Sequence, residues 1–360
     1  MSSRKCDRNP DTETLLLLYD AGARRKVTCI LLGTVAMLLM GLVFTTVGEG
    51  QVGLSQVLRA MGHWISGDLQ DTQEKVIVFL RLPRIAMAIF AGIGLSAAGV
   101  VMQSITRNPM ASPFTGGISN AAAFGASVSI VFGIGYRPGT ELGTVVNAFV
   151  LSIGCALLVY FVSIKVGMTP ETIVLVGIAL SYLFGAATST IEFFANEHQL
   201  AAVIQWDFGS LNGVKWKETV VVGVFTLLSS GIIYGFAPAL NIMISGDDQV
   251  AKSLGIRVSL VRGTTGLLAV LATASVISFT GVIGFVGLAG PHIARMLIGN
   301  DHRYLLPFSA VCGACLMLIA DTIGRVILAP VMIPVGIVIS FLGVPIFLNL
   351  IVTRKKGYFK

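Results

Sequence analysis

Long apolar runs separated by short polar connections make up most of the chain. A membrane-spanning α-helix needs about 20 mostly apolar residues, and about ten runs approach that length. The predicted spans are residues 27–47, 82–104, 117–134, 143–164, 172–194, 218–236, 263–280, 282–298, 305–328 and 335–352. The third and the eighth are short or interrupted by glycine, which predicts irregular helices there. The pattern predicts an all-α polytopic membrane protein with one transmembrane domain (27–353), an N-terminal extension (1–26) and a basic tail (354–360).

The composition supports this class of protein. Hydrophobic residues occupy 54% and charged residues 12% of the 360 positions, whereas a soluble domain carries about 25% charged residues. The surplus of apolar side chains must therefore face lipid. The formal net charge of +7 does not indicate nucleic-acid binding, because Lys and Arg lie at the ends of the apolar runs rather than along one face.

The distribution of Lys and Arg predicts the orientation, because the cytoplasmic segments of membrane proteins are enriched in both. With the N-terminus inside, the cytoplasmic segments hold 17 of the 25 Lys and Arg residues. These segments are residues 1–26, 105–112, 165–171, 237–262, 295–304 and 353–360. An even number of spans then places both termini in the cytoplasm.

Three arginines lie at the predicted outer ends of spans. Arg81 and Arg84 are at the start of the second span, and Arg325 lies near the end of the ninth. A charge within the hydrocarbon costs about 2.5–3.5 kcal/mol on insertion scales, and a long side chain can avoid this cost by reaching outward to water. Alternatively, the three arginines form a basic rim that attracts an acidic partner outside the cell. The residues alone leave both interpretations open.

The predicted cytoplasmic loop over residues 237–262 contains a short amphipathic segment. Gly246 precedes an acidic pair, Asp247 and Asp248. The apolar residues Ala251 and Leu254 and the closing Gly255 follow. Acidic residues favour a helix N-terminus, and glycine favours the position after its end. Such a helix either rests on the lipid surface or binds a cytoplasmic partner. Its acidic start disfavours anionic lipid.

Glycine recurs at every third position over residues 281–290. Gly281, Gly284 and Gly287 belong to this run. At membrane depth such glycines permit either close contact between helices or a break in one helix. We interpret the run as part of a subunit interface or of a moving joint, and the sequence does not separate these two.

The inner end of the second span is polar. Gln103 lies in sequence at membrane depth, so it faces a pore or bonds to a neighbouring helix. Asn108 and Pro109 follow and mark a turn that re-enters the membrane. These three residues are candidates for the transport pathway or an interface.

No catalytic or metal-binding constellation accompanies these features. The four histidines are scattered, and His292 fits packing better than metal ligation. Cys312 and Cys315 lie inside an apolar run, whereas reactive or zinc-binding thiols need accessible positions. The sequence has no Gly-x-Ser-x-Gly motif, no His-Glu-x-x-His motif and no nucleotide-binding loop. We therefore predict no catalysis, no cofactor and no metal site.

The order of the polar motifs resembles that of the permeases of iron-siderophore, haem and cobalamin ABC importers, from about residue 77 to residue 352. The matching motifs are Arg81-Leu-Pro-Arg84, Gln103 with Arg107-Asn-Pro-Met-Ala-Ser-Pro113, Gly117-Ile-Ser-Asn120, Gly246-Asp with Ala251 and Leu254-Gly255, Gly281-Val-Ile-Gly-Phe-Val-Gly287, Pro291-His-Ile-Ala-Arg295, Asp301-His-Arg303, Asp321 and Pro334-Val-Gly336. Each motif is weak alone, whereas their common order is specific.

The resemblance implies ten helices per subunit and an assembly of several chains. The partners would be a second permease subunit (a copy or a paralogue), a cytoplasmic ATPase dimer and an extracytoplasmic substrate-binding protein. Residues 246–255 would form the helix that couples to the ATPase. Arg81, Arg84 and Arg325 would dock the binding protein.

The family's inner gate lies at the start of the fifth helix, which here reads Thr169, Pro170, Glu171 and Thr172. The proline and the glutamate depart from the small hydroxyl residues of some members. The segment Trp206 to Gly213, followed by Trp216, is similar to the siderophore branch rather than the cobalamin branch.

The resemblance therefore predicts a permease in the bacterial inner membrane that imports a ferric siderophore by alternating access, with ATP hydrolysed on a separate subunit. Haem and cobalamin are the alternative cargoes. An ion-coupled secondary transporter is disfavoured, because it needs buried carboxylates and inverted repeats. Only Glu192 and Asp321 are plausible acids within the membrane.

Overall fold

Helices form where the apolar runs predict them. The computed structural model describes residues 10–48, 52–69, 71–135, 142–245 and 248–353. The helices are α1 (Pro10–Thr46), α2 (Leu54–Ser66), α3 (Thr72–Val76), α4 (Leu82–Ile105), α5 (Ile118–Phe132), α6 (Leu142–Val166), α7 (Pro170–Phe194), α8 (Glu197–Asp207), α9 (Trp216–Gly235), α10 (Ala237–Ser245), α11 (Asp248–Ser253), α12 (Val258–Thr280), α13 (Val286–Ile298), α14 (His302–Val326) and α15 (Val335–Thr353). A π-helical turn over Ile77–Arg81 joins α3 to α4. No strand occurs among these residues.

The predicted all-α membrane fold is confirmed. Seven helical stretches are long and apolar enough to cross a membrane, and they are Gly22–Thr46, Thr72–Ile105, Leu142–Val166, Pro170–Phe194, Trp216–Gly235, Val258–Thr280 and His302–Val326. The shorter apolar helices α5, α13 and α15 occupy the remaining three predicted spans. α5 and α13, with 15 and 13 residues, are the two helices predicted to be short or irregular.

The first helix starts earlier than predicted. α1 begins at Pro10, within the predicted extension over residues 1–26. Residues 1–9 and the predicted basic tail over residues 354–360 lie outside the described residues. The orientation of the chain across the membrane stays a prediction.

α4 is the central helix of the fold and packs against α1, α9, α12, α13 and α14. Glycine makes this crowding possible. A Cβ atom at Gly92 would overlap the backbone of Gly313 in α14, and one at Gly99 would overlap the carbonyl of Gly287 in α13. In lipid there is little hydrophobic drive between helices, so close backbone contact is a main source of their association.

Replacing Gly99 by alanine is expected to destabilise the protein by about 1–3 kcal/mol, because the added methyl group overlaps a backbone carbonyl and forces α4 and α13 apart. Gly154→Ala in α6 is the matched control, since a Cβ atom there has no neighbour within 4 Å. Thermal unfolding in detergent measures both variants. Equal melting temperatures for the two would contradict the tight α4–α13 contact.

The glycine-rich run breaks a helix, which is one of the two outcomes predicted for it. α12 ends at Thr280 and α13 begins at Val286, and Gly281 adopts a positive φ of 71° between them. The irregular backbone is held by protein, because the Ser210 N–H donates to the Thr280 carbonyl at 2.7 Å. Non-helical backbone at membrane depth is tolerated only when it is satisfied in this way. Gly284 has open space around it, and the interface and joint roles stay predictions.

The apolar pattern did not predict α2, α3, α8 and α10, which lie outside the predicted spans. α2 buries Val57 and Ala60 and exposes Ile65. Its Trp64 stacks on Trp216 at the start of α9, with ring centroids 5.2 Å apart. This contact fixes α2 to the predicted outer side of the helical bundle.

Candidate functional site

Segments predicted to lie on the same side of the membrane meet in the structure, and on each side several arginines gather around a shared aspartate. We call these two groups the outer cluster (Arg81, Arg84, Asp321 and Arg325) and the inner cluster (Arg107, Asp248 and Arg262). The two clusters lie at opposite ends of α4, because Arg84 is in its first turn and Arg107 lies two residues after its end.

In the outer cluster, Arg84 and Arg325 share one carboxylate. Arg84 Nε donates to Asp321 Oδ1 at 2.9 Å, and Arg325 Nε lies 3.1 Å from Asp321 Oδ2. The exposed fraction of the side chain is 1% for Asp321, 7% for Arg325 and 12% for Arg84. A buried guanidinium depends strongly on its counter-charge, so Asp321 holds α4 and α14 together at this end.

Two arginines of the outer cluster also close the end of α1. Arg81 Nη1 donates to the carbonyl of Thr45 at 3.0 Å, and Arg325 Nη1 donates to that of Val47 at 2.7 Å. The last carbonyls of a helix lack intrahelical partners and carry the negative end of its dipole. Arg325 is thus turned into the protein, and the interpretation that it reaches outward to water was wrong. Docking of a binding protein by the outer cluster stays a prediction.

On the opposite side, the predicted amphipathic segment contains a helix. α11 spans Asp248–Ser253, and Gly255 follows it with a left-handed φ of 82°. Ala251 is fully buried, whereas Leu254 is 63% exposed. Gly246 and Asp247 lie outside the described residues. One apolar residue therefore fixes α11 to the bundle, while another is presented outward.

Asp248 is the centre of the inner cluster. Arg262 Nη2 lies 3.0 Å from Asp248 Oδ1, and Arg107 Nη2 lies 2.6 Å from the same oxygen. Burial opposes the charge on Asp248, but hydrogen bonding by Arg262 and the attraction of Arg262, Arg107 and Lys252 lower the pKa of its carboxyl below the usual value. Asp248 is therefore charged at neutral pH and joins α11 to α12 and to the loop after α4.

The residues predicted as an inner gate form the start of α7. Thr169 Oγ1 accepts the N–H of Thr172 at 3.3 Å, which is an N-cap contact, and Pro170 is the first helical residue. Glu171 is exposed. The carbonyl of Met168, directly before this start, accepts from Arg262 Nη1 at 2.7 Å. The residue that directly precedes the predicted gate is thus bonded to the inner cluster, and the function of Thr169 to Thr172 as a gate stays a prediction.

A groove of about 570 Å³ runs along α7. Its lining residues are Thr115, Asn120, Val174, Ile178, Ser181, Tyr182, Gly185 and Ala186. Asn120 Nδ2 donates to the Ser181 carbonyl at 2.8 Å and so joins α5 to α7 across the groove floor. Tyr182 is 78% exposed. α7 therefore presents polar groups on a face that the described residues leave uncovered.

The polar residues predicted at the inner end of α4, Gln103, Asn108 and Pro109, do not line this groove. Gln103 is 1% exposed, and its amide atoms have no hydrogen-bond partner among the described residues. Asn108 Oδ1 accepts the N–H of Met110 at 2.9 Å, which forms a turn at Asn108 and Pro109 as predicted. The pathway role of Gln103 stays a prediction.

A second polar link at the inner end was missed by the sequence analysis. The His302 ring contacts Ser104 Oγ through Nε2 and Asn241 Oδ1 through Nδ1, each at 2.6 Å. Asn241 Nδ2 donates to Asp301 Oδ1 at 2.8 Å, and a hydrogen bond from Arg303 holds the pKa of Asp301 well below its usual range. This link joins α10 to α4 and α14. The adjacent polar residues Asp301 and His302, shortly before an apolar run, were the only sequence feature that pointed to this link.

Comparison with known proteins identifies the family. The model of the FecCD transport family matches residues 33–353. An ABC transporter permease of Methanocaldococcus jannaschii is 38% identical, with 94% of this chain and 98% of that protein covered. The hemin transport system permease of Yersinia pestis is 35% identical, with coverage of 89% and 95%. Further relatives are named for import of Fe(3+)-citrate in Bacillus subtilis (32% identical), of cobalamin in Halobacterium salinarum (34%) and of molybdate in Haemophilus influenzae (32%).

A solved structure agrees with these matches. It is described as an inward-facing conformation of a metal-chelate type ABC transporter. The TM-score is 0.79 at 29% identity, with 90% of this chain and 98% of that chain covered. In this family the permease subunits transport without catalysing a reaction, ATP is hydrolysed by a separate subunit, and a substrate-binding protein is a further partner. The chain therefore belongs to the FecCD transport family and is a multi-pass permease subunit of an inner-membrane ABC importer.

Proposed function

We propose that this permease imports a ferric chelate of the siderophore type, together with a second permease subunit, an ATPase dimer and an external binding protein. The observation that carries the proposal is the uncovered polar face of α7. Its groove, with Asn120, Ser181 and Tyr182, lies on a helix of membrane length. Polar side chains within the membrane normally face protein or a water-filled cavity rather than lipid.

A second subunit placed against α7 would enclose the groove between two copies of this face. The enclosed space would be lined by hydroxyl, amide and apolar groups, since the described residues of the groove include no charged side chain. Such a wall suits a bulky cargo that must pass without being held tightly. Alternating access would open it first to the outer and then to the inner side.

The two ion-pair clusters would connect the permease to its partners. Leu254, directly after α11, is exposed on the predicted inner side, where the ATPase dimer would bind. The outer cluster has three guanidinium groups and one carboxylate, so its positive charge would attract an acidic surface of the binding protein. The cargo assignment is supported by the Fe(3+)-citrate relative and by the metal-chelate type of the structural neighbour.

Uptake by cells with and without the gene tests the cargo. Iron-55 would be offered as hydroxamate, catecholate and citrate chelates and as haem, with labelled cobalamin and molybdate beside them. Loss of uptake of one ferric chelate, restored by the gene, supports the proposal. Loss confined to haem, cobalamin or molybdate would replace the cargo assignment and leave the permease assignment intact.

Gly185→Trp is expected to reduce uptake about tenfold, which corresponds to about 1.4 kcal/mol on the barrier. Gly185 lines the groove, and the nearest atom to a Cβ built there is Asn120 Nδ2 at 3.6 Å, so the indole can enter the groove without disturbing the backbone. Val150→Trp, at an exposed apolar position of α6, is the control. Both variants should be present in the membrane at normal levels. Normal uptake by Gly185→Trp would show that cargo does not pass along α7.

A further inference from the structure

Arg262 connects α11 to the start of α7 through one buried side chain. Arg262 is only 1% exposed, although it lies in the first turns of α12 on the predicted cytoplasmic side. Nη1 donates both to the carbonyl of Met168 at 2.7 Å and to Asp248 Oδ2 at 3.1 Å, while Nη2 donates to Asp248 Oδ1 at 3.0 Å. One planar group thus bonds two segments that are far apart in the chain.

Both ends of this connection are firmly held. At one end Asp248 begins α11. At the other end Met168 is buried, adopts a positive φ of 38° and directly precedes the N-cap residue of α7. The guanidinium is rigid and planar. A displacement of the Asp248 carboxylate would therefore displace the Met168 carbonyl by a similar amount.

The neighbouring Arg107 makes a different connection. It shares the Asp248 carboxylate, but its Nε donates to the Met243 carbonyl at 3.0 Å, so it links α11 to α10 and to the loop after α4. Arg107 therefore anchors the loop that carries α11, whereas Arg262 bonds to the backbone at the start of α7. Two arginines with the same partner thus lead to different parts of the molecule.

We propose that Arg262, held between Asp248 and the Met168 carbonyl, is the positioning residue that passes displacement of α11 to the inner end of α7. This inference rests on the proposed function, in which the ATPase moves α11 and α7 lines the path. Loss of the connection should leave ATP hydrolysis running while the path no longer responds. Transport and hydrolysis would then be uncoupled rather than lost together.

The test uses the complete complex in proteoliposomes, with its ATPase, its binding protein and the ferric chelate identified by uptake. Cargo moved per ATP hydrolysed is measured for the wild type and for Arg262→Lys, Arg262→Gln and Arg107→Gln. Lysine keeps the charge but, as a single ammonium, cannot reproduce the planar fork. Arg257→Gln is the control, because Arg257 is exposed and lies between α11 and α12, close to Arg262 in the chain.

We expect both Arg262 variants to hydrolyse ATP within about twofold of the wild-type rate and to move about tenfold less cargo per ATP, which is about 1.4 kcal/mol of lost coupling. Arg257→Gln should keep the wild-type ratio, and Arg107→Gln, which loosens the loop that carries α11 but not its bond to α7, should lower the ratio less than Arg262→Gln does. Spin labels at Ser253 and Glu171 provide a second measurement. ATP should shift their distance in Arg262→Lys, because α11 moves alone, and should leave it nearly constant in the wild type.

Three results would overturn the inference while leaving the importer in place: an unchanged cargo-to-ATP ratio in Arg262→Lys, an equal loss in Arg107→Gln, or identical label distances in Arg262→Lys and the wild type. Failure of the wild-type complex to move any ferric chelate would instead overturn the proposed function. If Arg262→Gln does not assemble, Arg262→Lys decides alone, because it keeps the buried charge that Asp248 needs.

Discussion

Replacing Asp321 by alanine is expected to lower the free energy of unfolding by about 3–5 kcal/mol, the largest stability effect predicted for a single substitution in this chain. The variant would leave the guanidinium groups of Arg84 and Arg325 in a nearly dry site without their shared carboxylate. Arg325 would also be less well held against the carbonyls of Phe44, in the last turn of α1, and of Val47, directly after it. Thermal unfolding of the purified permease in detergent measures the effect.

A triple variant separates stability from docking in the outer cluster. Arg84→Met, Asp321→Leu and Arg325→Met together remove the buried charges, and apolar replacement of a buried ion-pair network is often neutral or stabilising. We expect the triple variant to regain most of the stability lost in Asp321→Ala and to bind the external protein poorly. Normal binding of that protein by the triple variant would contradict the docking role. If Asp321→Ala melted at the same temperature as the wild type, Asp321 would not hold α4 and α14 together as we infer.

Replacing Leu254 by aspartate is expected to weaken binding of the ATPase by about 30-fold, which corresponds to about 2 kcal/mol and is typical of an interface residue of central importance. Leu254 is 63% exposed just after α11, while Ala251 attaches this helix to the bundle. A carboxylate at position 254 would have to be desolvated in the interface. Because the side chain is exposed in the permease, folding should be unaffected.

Co-purification of the ATPase with the permease measures this effect, and ATP hydrolysis by the purified complex confirms it. Ile65→Asp is the matched control, since Ile65 is 85% exposed on α2 at the predicted outer side. The same chemical change there should leave ATPase binding intact. If Leu254→Asp retains the ATPase as well as Ile65→Asp does, then α11 is not the coupling contact.

The spans could be predicted from the sequence because their cause is local. Each run of apolar residues must be covered by lipid or by other helices, and its length is set by the thickness of the bilayer. Gly255, predicted to follow the end of α11, has a positive φ angle, which glycine adopts more readily than other residues. For the run at Gly281 the sequence left two outcomes open, close contact or a break, and the structure shows the break. α2 was missed because its apolar face is shorter than a span and is interrupted by polar residues.

The ion-pair clusters could not be predicted in the same way, because they depend on which helices pack together. Arg84 and Asp321 are 237 positions apart, and Arg107 and Asp248 are 141 positions apart. The first pair meets because α4 and α14 make close backbone contact, as at Gly92 and Gly313, and no local pattern specifies that contact. Hence the sequence indicated that Arg81, Arg84 and Arg325 were unusual, whereas packing turned Arg325 inward and placed Arg262, which the sequence did not single out, between α11 and α7. Hydrophobicity is a property of each segment, and pairing of charges is a property of the assembled bundle.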